Sequence, residues 1–294
     1  HIAVFDLNDF SIVWQCPTSQ LNLGVKIPKS VAISAEGHLV MAYADATGTS
    51  SGWIGWDITN KSAARVKHET TGQIYRFGVD VSRDGQRVIC GGNTATLFDL
   101  TKSPPKKEVL VASGSEVKAV AISPSAEMVA VVDSAERVDI FEKPLQPNGA
   151  RYNFDMGTDN NLLHSIQFSN DLKSLLCSHT LAFHLVRLEC NEERLVLPSH
   201  ADRGVPDLRF SCDGTKLVSS GANGTVHISD TRTGDLLSRC DEFGGNKVQS
   251  ITLSSNERWL ATAAWDEEPD GESLGTRIPI WSFPKFELMS VVET

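Results

Sequence analysis

The chain has 294 residues, 40% hydrophobic and 22% charged, with 22 glycines and 12 prolines; this balance excludes a disordered or collagen-like polypeptide. Its 37 acidic residues against 27 basic ones give a formal net charge of −10, a mean field that repels phosphate backbones and anionic lipid, so neither nucleic acid nor a membrane is expected as a partner. No run approaches the roughly 18 apolar residues of a membrane-spanning helix.

The first expected strands are Ile2 to Leu7 and Ser11 to Cys16, separated by a turn at Asn8-Asp9. From there one phrase occurs six times: a short apolar strand ending in Ser, a polar turn, then a second apolar strand. VAIS ends at Ser34 and leads to Leu39 to Tyr43; FGVDVS ends at Ser82 and leads through Arg83-Asp84-Gly85 to Arg87 to Cys90. VKAVAIS ends at Ser123 before MVAVV, and IQFS ends at Ser169 before Ser174 to Cys177. The clearest copy, VPDLRFSCDGTKLVSS, ends its first strand at Ser211, and ITLS ends at Ser254 before Trp259 to Ala263. Third strands follow tight turns: TATLFDL after Gly91-Gly92-Asn93, RVDIF after Asp133 to Glu136, and Thr225 to Asp230 after Gly221-Ala222-Asn223-Gly224. Glycine and asparagine supply the positive φ such turns need. A fourth strand is expected at Leu236 to Cys240, and a last one at Phe286 to Val292, beyond Pro279 to Phe283.

The six serines are spaced 41 to 48 residues apart, and a strand-built period of that length marks a β-propeller, in which one repeat cannot bury its own faces. The expected fold is all-β: a β-propeller of four-stranded antiparallel blades in one domain, residues 1–294, with a half blade over 1–20 and full repeats near 21–70, 71–113, 114–158, 159–199, 200–243 and 244–294. Six full repeats and an outer half suggest a seven-bladed ring with an incomplete first blade, and a six-bladed ring is the alternative. Four residues before each serine stand Ser30, Gly78, Ala119, Ser165, Asp207 and Ser250, a column of mostly small side chains expected where inner strands crowd around an axis.

A strand, an S-x-D-G turn, a second strand, a tight turn, and a third strand ending in Trp56-Asp57 or Phe98-Asp99 resemble the WD40 repeat over nearly the whole chain. Phe141-Glu142, Ser229-Asp230 and Trp281-Ser282 depart from the Trp-Asp pair, and Ser199-His200 stands where the family has Gly-His. With Ser229 in the Trp position, the family's His, Ser, Asp and Trp hydrogen-bond network is expected to stay incomplete in that repeat. The resemblance implies a rigid ring that binds a protein or peptide on the rim formed by the loops before first strands and the turns between second and third strands. Tyr75, Arg76, Lys118, His164, Arg203, Asp207, Gln249 and Trp265 are expected there, with Asp266 and Glu268 of the acidic insertion WDEEPDGESLGT; Arg, Tyr and Trp are the types that concentrate interface energy. Lys102, Lys106 and Lys107, around Pro104 and Pro105, read as a solvated turn.

No GxSxG, HExxH, P-loop or GxGxxG motif occurs. His179 and His184, five apart in SHTLAFHLVRL, would suit metal ligands on a helix but point to opposite faces if they share a strand, and are expected as partly buried or turn histidines. Asp207 is the single carboxylate of the small-residue column, and one acid neither makes a catalytic pair nor holds a metal. The expectation is a non-catalytic interaction scaffold with no catalytic residue, cofactor or metal, as a monomeric ring or a subunit of a larger assembly. Two alternatives stand beside it: a hydrolase or lactonase using the axial channel, and an assembly subunit whose open blade a partner chain completes. The six cysteines, at 16, 90, 177, 190, 212 and 240, show no CxxC spacing; a core of this size needs no disulfides, so reduced thiols and a cytoplasmic or other reducing intracellular compartment are expected. Because the chain opens at His1 without a Met and enters a strand at once, a trimmed piece of a longer protein is expected.

Overall fold

The computed structural model describes residues 2–5, 12–16, 27–44, 50–58, 66–71, 78–110, 116–135, 137–143, 152–155, 163–179, 183–188, 194–197, 200, 207–241, 247–254, 256–264 and 277–293. Every regular element among them is a β-strand. β1 (Ile2–Phe5) and β2 (Ile12–Cys16) form a two-stranded antiparallel sheet. Six four-stranded antiparallel sheets follow, each a meander in chain order. The first contains β3 (Ile27–Ile33), β4 (His38–Ala44), β5 (Ser50–Asp57) and β6 (Val66–Thr71); the second β7 (Val79–Val81), β8 (Arg87–Cys90), β9 (Ala95–Asp99) and β10 (Lys106–Leu110). The third contains β11 (Val117–Ile122), β12 (Met128–Asp133), β13 (Arg137–Glu142) and β14 (Tyr152–Asp155); the fourth β15 (Leu163–Phe168), β16 (Ser174–His179), β17 (Phe183–Arg187) and β18 (Arg194–Leu197). The fifth contains β19 (Leu208–Phe210), β20 (Lys216–Ser220), β21 (Val226–Asp230) and β22 (Leu236–Cys240); the sixth β23 (Val248–Leu253), β24 (Trp259–Ala264), β25 (Arg277–Ser282) and β26 (Leu288–Glu293). His179 ends β16 whereas His184 lies on β17 opposite Cys177, so the two do not share a strand.

The recurring serine acquires a physical role. All six are buried, between 0% and 8% exposed, and each hydroxyl accepts a hydrogen bond from the amide that opens the second strand: His38 N to Ser34 at 2.9 Å, Arg87 N to Ser82 at 3.0 Å, Met128 N to Ser123 at 2.9 Å, Ser174 N to Ser169 at 2.9 Å, Lys216 N to Ser211 at 2.9 Å and Trp259 N to Ser254 at 3.0 Å. Where the turn carries an acid two residues on, the serine hydroxyl donates to it, as in Ser82 to Asp84, Ser169 to Asp171 and Ser211 to Asp213, all at 2.6 Å. A short polar side chain thus closes the turn before the ladder begins.

Three residues past each serine the backbone turns left-handed, at Gly37, Gly85, Ala126, Leu172, Gly214 and Glu257, with φ between 54° and 78°. Leucine at φ 61° is strained by the contact of Cβ with its own carbonyl, which glycine lacks. Leu172→Gly is therefore expected to stabilise the chain by roughly 0.5–1 kcal/mol, a rise of about 2–3 °C in Tm, after the greater freedom of unfolded glycine is subtracted. Thermal denaturation decides it; a lower Tm would mean that the half-buried leucine side chain outweighs its backbone strain.

The strands gather into two compact units, His1–Asp159 and Asn160–Thr294. In the first, Val79 and Val81 of β7 pack with Val40, Ala42 and Trp53 of the preceding sheet and with Phe98, whose ring meets Trp53 edge-on at 5.1 Å. Val120 and Ile122 of β11 pack likewise with Ile89 and Leu97 of the second sheet. In the second unit Leu208 and Phe210 join Leu176 and Leu185, and Ile251 joins Val218, Val226 and Ile228. The first strands β7, β11, β19 and β23 thus each lie on the middle strands of the sheet before them.

Side chains also tie neighbouring first strands together. Asp80 accepts from its own neighbour Val81 N at 2.8 Å and from Ile122 N of the next sheet at 2.9 Å. Gln167 accepts from Phe210 N at 3.4 Å. Asp207 accepts from Ile251 N at 3.1 Å and from Ser250 Oγ at 2.9 Å, so two members of the small-residue column touch. Gly78, Ala119 and Asp207 of that column are buried.

Candidate partner-binding surface

Of the ten residues expected on the rim, Tyr75, Arg76, Arg203, Trp265, Asp266 and Glu268 lie outside the described residues. Lys118, His164 and Gln249 hold one equivalent place, each in its own sheet. The register of β11 on β12 shifts between Val117 and Ala119, that of β15 on β16 between Leu163 and Ser165, and that of β23 on β24 between Val248 and Ser250. Each of the three is the extra residue of a bulge five positions before the serine, and a bulge leaves that residue unpaired in the ladder. The same bulge occurs between Pro28 and Ser30 and adds Lys29, half-exposed, which sequence reasoning missed. Its signal was there: Lys29 precedes Ser34 by the interval that separates Lys118 from Ser123. Lys118 stands 3.5 Å from Glu116, both about one-third exposed, a pair too solvated to contribute much stability.

Asp207 has a different surrounding. It is 3% exposed, and besides Ile251 and Ser250 its carboxylate accepts from Leu208 N at 2.9 Å and Arg209 NH1 at 2.6 Å. All its acceptor capacity is spent on holding first strands, and none of it faces solvent. Among the described residues no group of three or more His, Cys, Asp or Glu is placed to share a metal ion, and no helix is long and apolar enough to cross a membrane. Burial pushes the Cys90 thiol up to about 12, so it packs as a neutral side chain.

The densest polar arrangement surrounds His200, which is 1% exposed. Its Nε2 lies 2.7 Å from Ser219 Oγ and its Nδ1 2.6 Å from Thr225 Oγ1. Thr225 donates its hydroxyl proton to Asn223 Oδ1 at 2.7 Å, so its oxygen must accept from Nδ1–H; Nε2 then accepts from the Ser219 hydroxyl, and the ring is neutral. A Cβ on Gly221 would come within 2.6 Å of Nδ1, so only glycine lets the turn pass this close. His227 stacks on the ring at 3.8 Å. One sheet further on, Trp281 Nε1 donates to Thr262 Oγ1 at 3.0 Å, and Thr262 stands eight residues past Ser254 as Ser219 does past Ser211.

The family model described as WD domain, G-beta repeat matches residues 191–230, the segment that carries His200, Ser219, Thr225 and Ser229-Asp230. That segment is a WD40 repeat. It spans β18 and then β19 to β21, so the sequence unit straddles two sheets, and the fourth strand of one sheet is covalently part of the next repeat. The expected gap at Ser229 is present, yet Thr225 extends the chain of hydrogen bonds on the other side of His200. The acid that ends the third strand closes the next turn: Asp230 accepts from Arg232 N at 2.8 Å and Thr233 N at 2.9 Å, and Asp99 from Thr101 N at 3.0 Å. No curated protein matches the chain.

Proposed function

We propose that the sheets close into a propeller ring of seven blades, completed at the β1–β2 sheet, and that the ring is a non-catalytic scaffold binding a protein or peptide on its rim. The observation that carries this reading is the WD40 match at residues 191–230 within six copies of one four-stranded meander. WD40 repeats in general point to protein interaction. Such a ring separates duties: turns closed by their own Ser and Asp side chains hold the frame, so the longer loops vary without loss of the core and lose little entropy on binding. Tyr75, Arg76, Arg203, Trp265, Asp266 and Glu268, with the bulge residues Lys29, Lys118, His164 and Gln249, form the proposed surface, and a reducing intracellular compartment is its proposed location.

Simultaneous alanine replacement of Tyr75, Arg76 and Trp265 is expected to abolish affinity capture of the main partner while the thermal transition stays at its wild-type value. Quantitative mass spectrometry of captured proteins, wild type against triple variant, reads the result. Equal capture by both would move the binding surface off the rim.

A further inference from the structure

The sequence Lys102-Ser103-Pro104-Pro105-Lys106-Lys107 spans the turn from β9 into β10 and concentrates three cations on a chain whose net charge is −10. Ser103 and all three lysines are exposed. Of the turn's two hydroxyls, that of Thr101 donates to Asp99 at 2.6 Å and closes the turn, whereas that of Ser103 has no partner among the described residues. Lys106 stands 2.9 Å from Glu108, but the two side chains are 63% and 33% exposed, so water screens the pair and a stronger anion displaces it. The chain carries its own control. Serine or threonine precedes proline twice, at Ser103-Pro104 and Ser123-Pro124. Ser123 is 0% exposed and its oxygen accepts from Met128 N at 2.9 Å, so it is closed to the active site of another protein. Three and four residues on from it stand Ala126 and Glu127, where Ser103 has Lys106 and Lys107. A kinase cleft that takes proline after the acceptor has no main-chain N–H to satisfy there, and the two bases add charge that Ser123 lacks.

We propose that Ser103 is a phosphorylation site, the acceptor for a protein kinase that selects serine followed by proline with a base three residues on. Its oxygen attacks the γ-phosphorus of ATP. The Oγ–P bond forms, the bond from that phosphorus to the oxygen bridging it to the β-phosphate breaks, ADP leaves with the electron pair, and the hydroxyl proton passes to the kinase's catalytic aspartate. The product carries a charge of roughly −1.5 to −2 at neutral pH among Lys102, Lys106 and Lys107, and it draws Lys106 from Glu108 because phosphate is the stronger acceptor. The local excess of cations is thereby mostly cancelled, which withdraws this turn from an acidic surface of another protein. The β9–β10 turn lies at the end of its sheet opposite the Gly91-Gly92-Asn93 turn, so the site is separate from the proposed rim and stands whether or not the rim binds.

The full chain is incubated with ATP and a purified proline-directed serine/threonine kinase, and tandem mass spectrometry of its peptides locates the phosphate. A single phosphoryl group is expected, on Ser103, absent from Ser103→Ala and restored by Ser103→Thr. Lys106→Glu keeps the acceptor and should lower kcat/KM for the chain roughly tenfold or more. Ser103 and Lys106 are exposed, so all these variants should keep the wild-type thermal transition. Phosphorus NMR of the modified chain should place the second phosphate pKa below about 6, and Lys102→Gln with Lys107→Gln should return it toward that value. An unmodified Ser103, under conditions that fully phosphorylate a free Ser-Pro-Pro-Lys peptide, overturns the proposal. So does equal incorporation into wild type and Ser103→Ala, or a phosphate found on Ser123. A phosphate pKa that the lysine substitutions leave unchanged overturns the cancelling of charge.

Discussion

Asp207→Ala is expected to destabilise the chain by about 3–5 kcal/mol, the range found when one member of a buried charged network is removed. The carboxylate accepts from Leu208 N, Arg209, Ser250 Oγ and Ile251 N. Its loss strands two backbone amides, those of Leu208 and Ile251, beside a first strand that has no ladder bond to its neighbour. No water can replace the bridge without opening the packing of Ile251, 1% exposed, against Val218 and Ile228. At roughly 2–4 °C per kcal/mol the thermal transition falls by about 10 °C. Asp80→Ala removes a similar bridge to Ile122, but Asp80 is half-exposed and water replaces part of what is lost, so its effect should be smaller. Urea titration of both variants tests the order. A loss below about 1 kcal/mol for Asp207→Ala would show that apolar packing alone holds neighbouring first strands.

Acid is expected to weaken the fold through His200 well before the carboxylates titrate. Burial, with the neighbouring His227 and Arg239, lowers its pKa from 6.5 to about 3. His227, stacked on it, is lowered for the same first reason, and is set between the Arg239 cation and the Asp241 carboxylate. The folded chain therefore binds fewer protons than the unfolded chain between those two pH values. The stability this contributes is complete above pH 6.5 and is lost as pH falls from there toward 3, at up to about 1.4 kcal/mol per pH unit for each proton. Asp213 adds its loss lower down: hydrogen bonds from Ser211 and the Thr215 amide hold it at about 2, so its contribution disappears as pH falls from the ordinary carboxylate range toward that value. His200→Gln keeps a polar side chain and cannot titrate. It should be less stable than wild type at neutral pH by about 1–2 kcal/mol and flatter between pH 6 and about 4. Urea midpoints measured across that range decide; parallel curves for the two proteins would remove His200 from the acid response.

Much of the frame was legible because its causes are local. A serine that caps the first amide of the next strand, an acid two residues on, and a left-handed residue at the third position act within one turn, so Ser211-Cys212-Asp213-Gly214 reads the same on paper and in space. Even where the motif weakens, at Ala126, Leu172 and Glu257, the flanking apolar strands kept the turn recognisable. His179 and His184 were less legible for the opposite reason: polar-apolar alternation in SHTLAFHLVRL does not show where one strand ends and the next begins, and the pairing of Cys177 with His184 depends on a register that the whole sheet sets. The candidate surface was less legible than the frame. A bulge is a property of two strands in register, so Lys29, Lys118, His164 and Gln249 could be recognised as one set only through their shared offset from the serine.

The chain's own order of residues determined a period near 44, the all-β class, the strands within each repeat and the turns that join them, because each follows from side chains within a few residues of one another. Tertiary structure alone decided which polar groups are available. Asp207 is consumed by Ile251, 44 residues away, and His200 by Ser219 and Thr225, 19 and 25 residues away. Burial and hydrogen-bond satisfaction depend on what the next sheet brings alongside, and no local pattern encodes that neighbour.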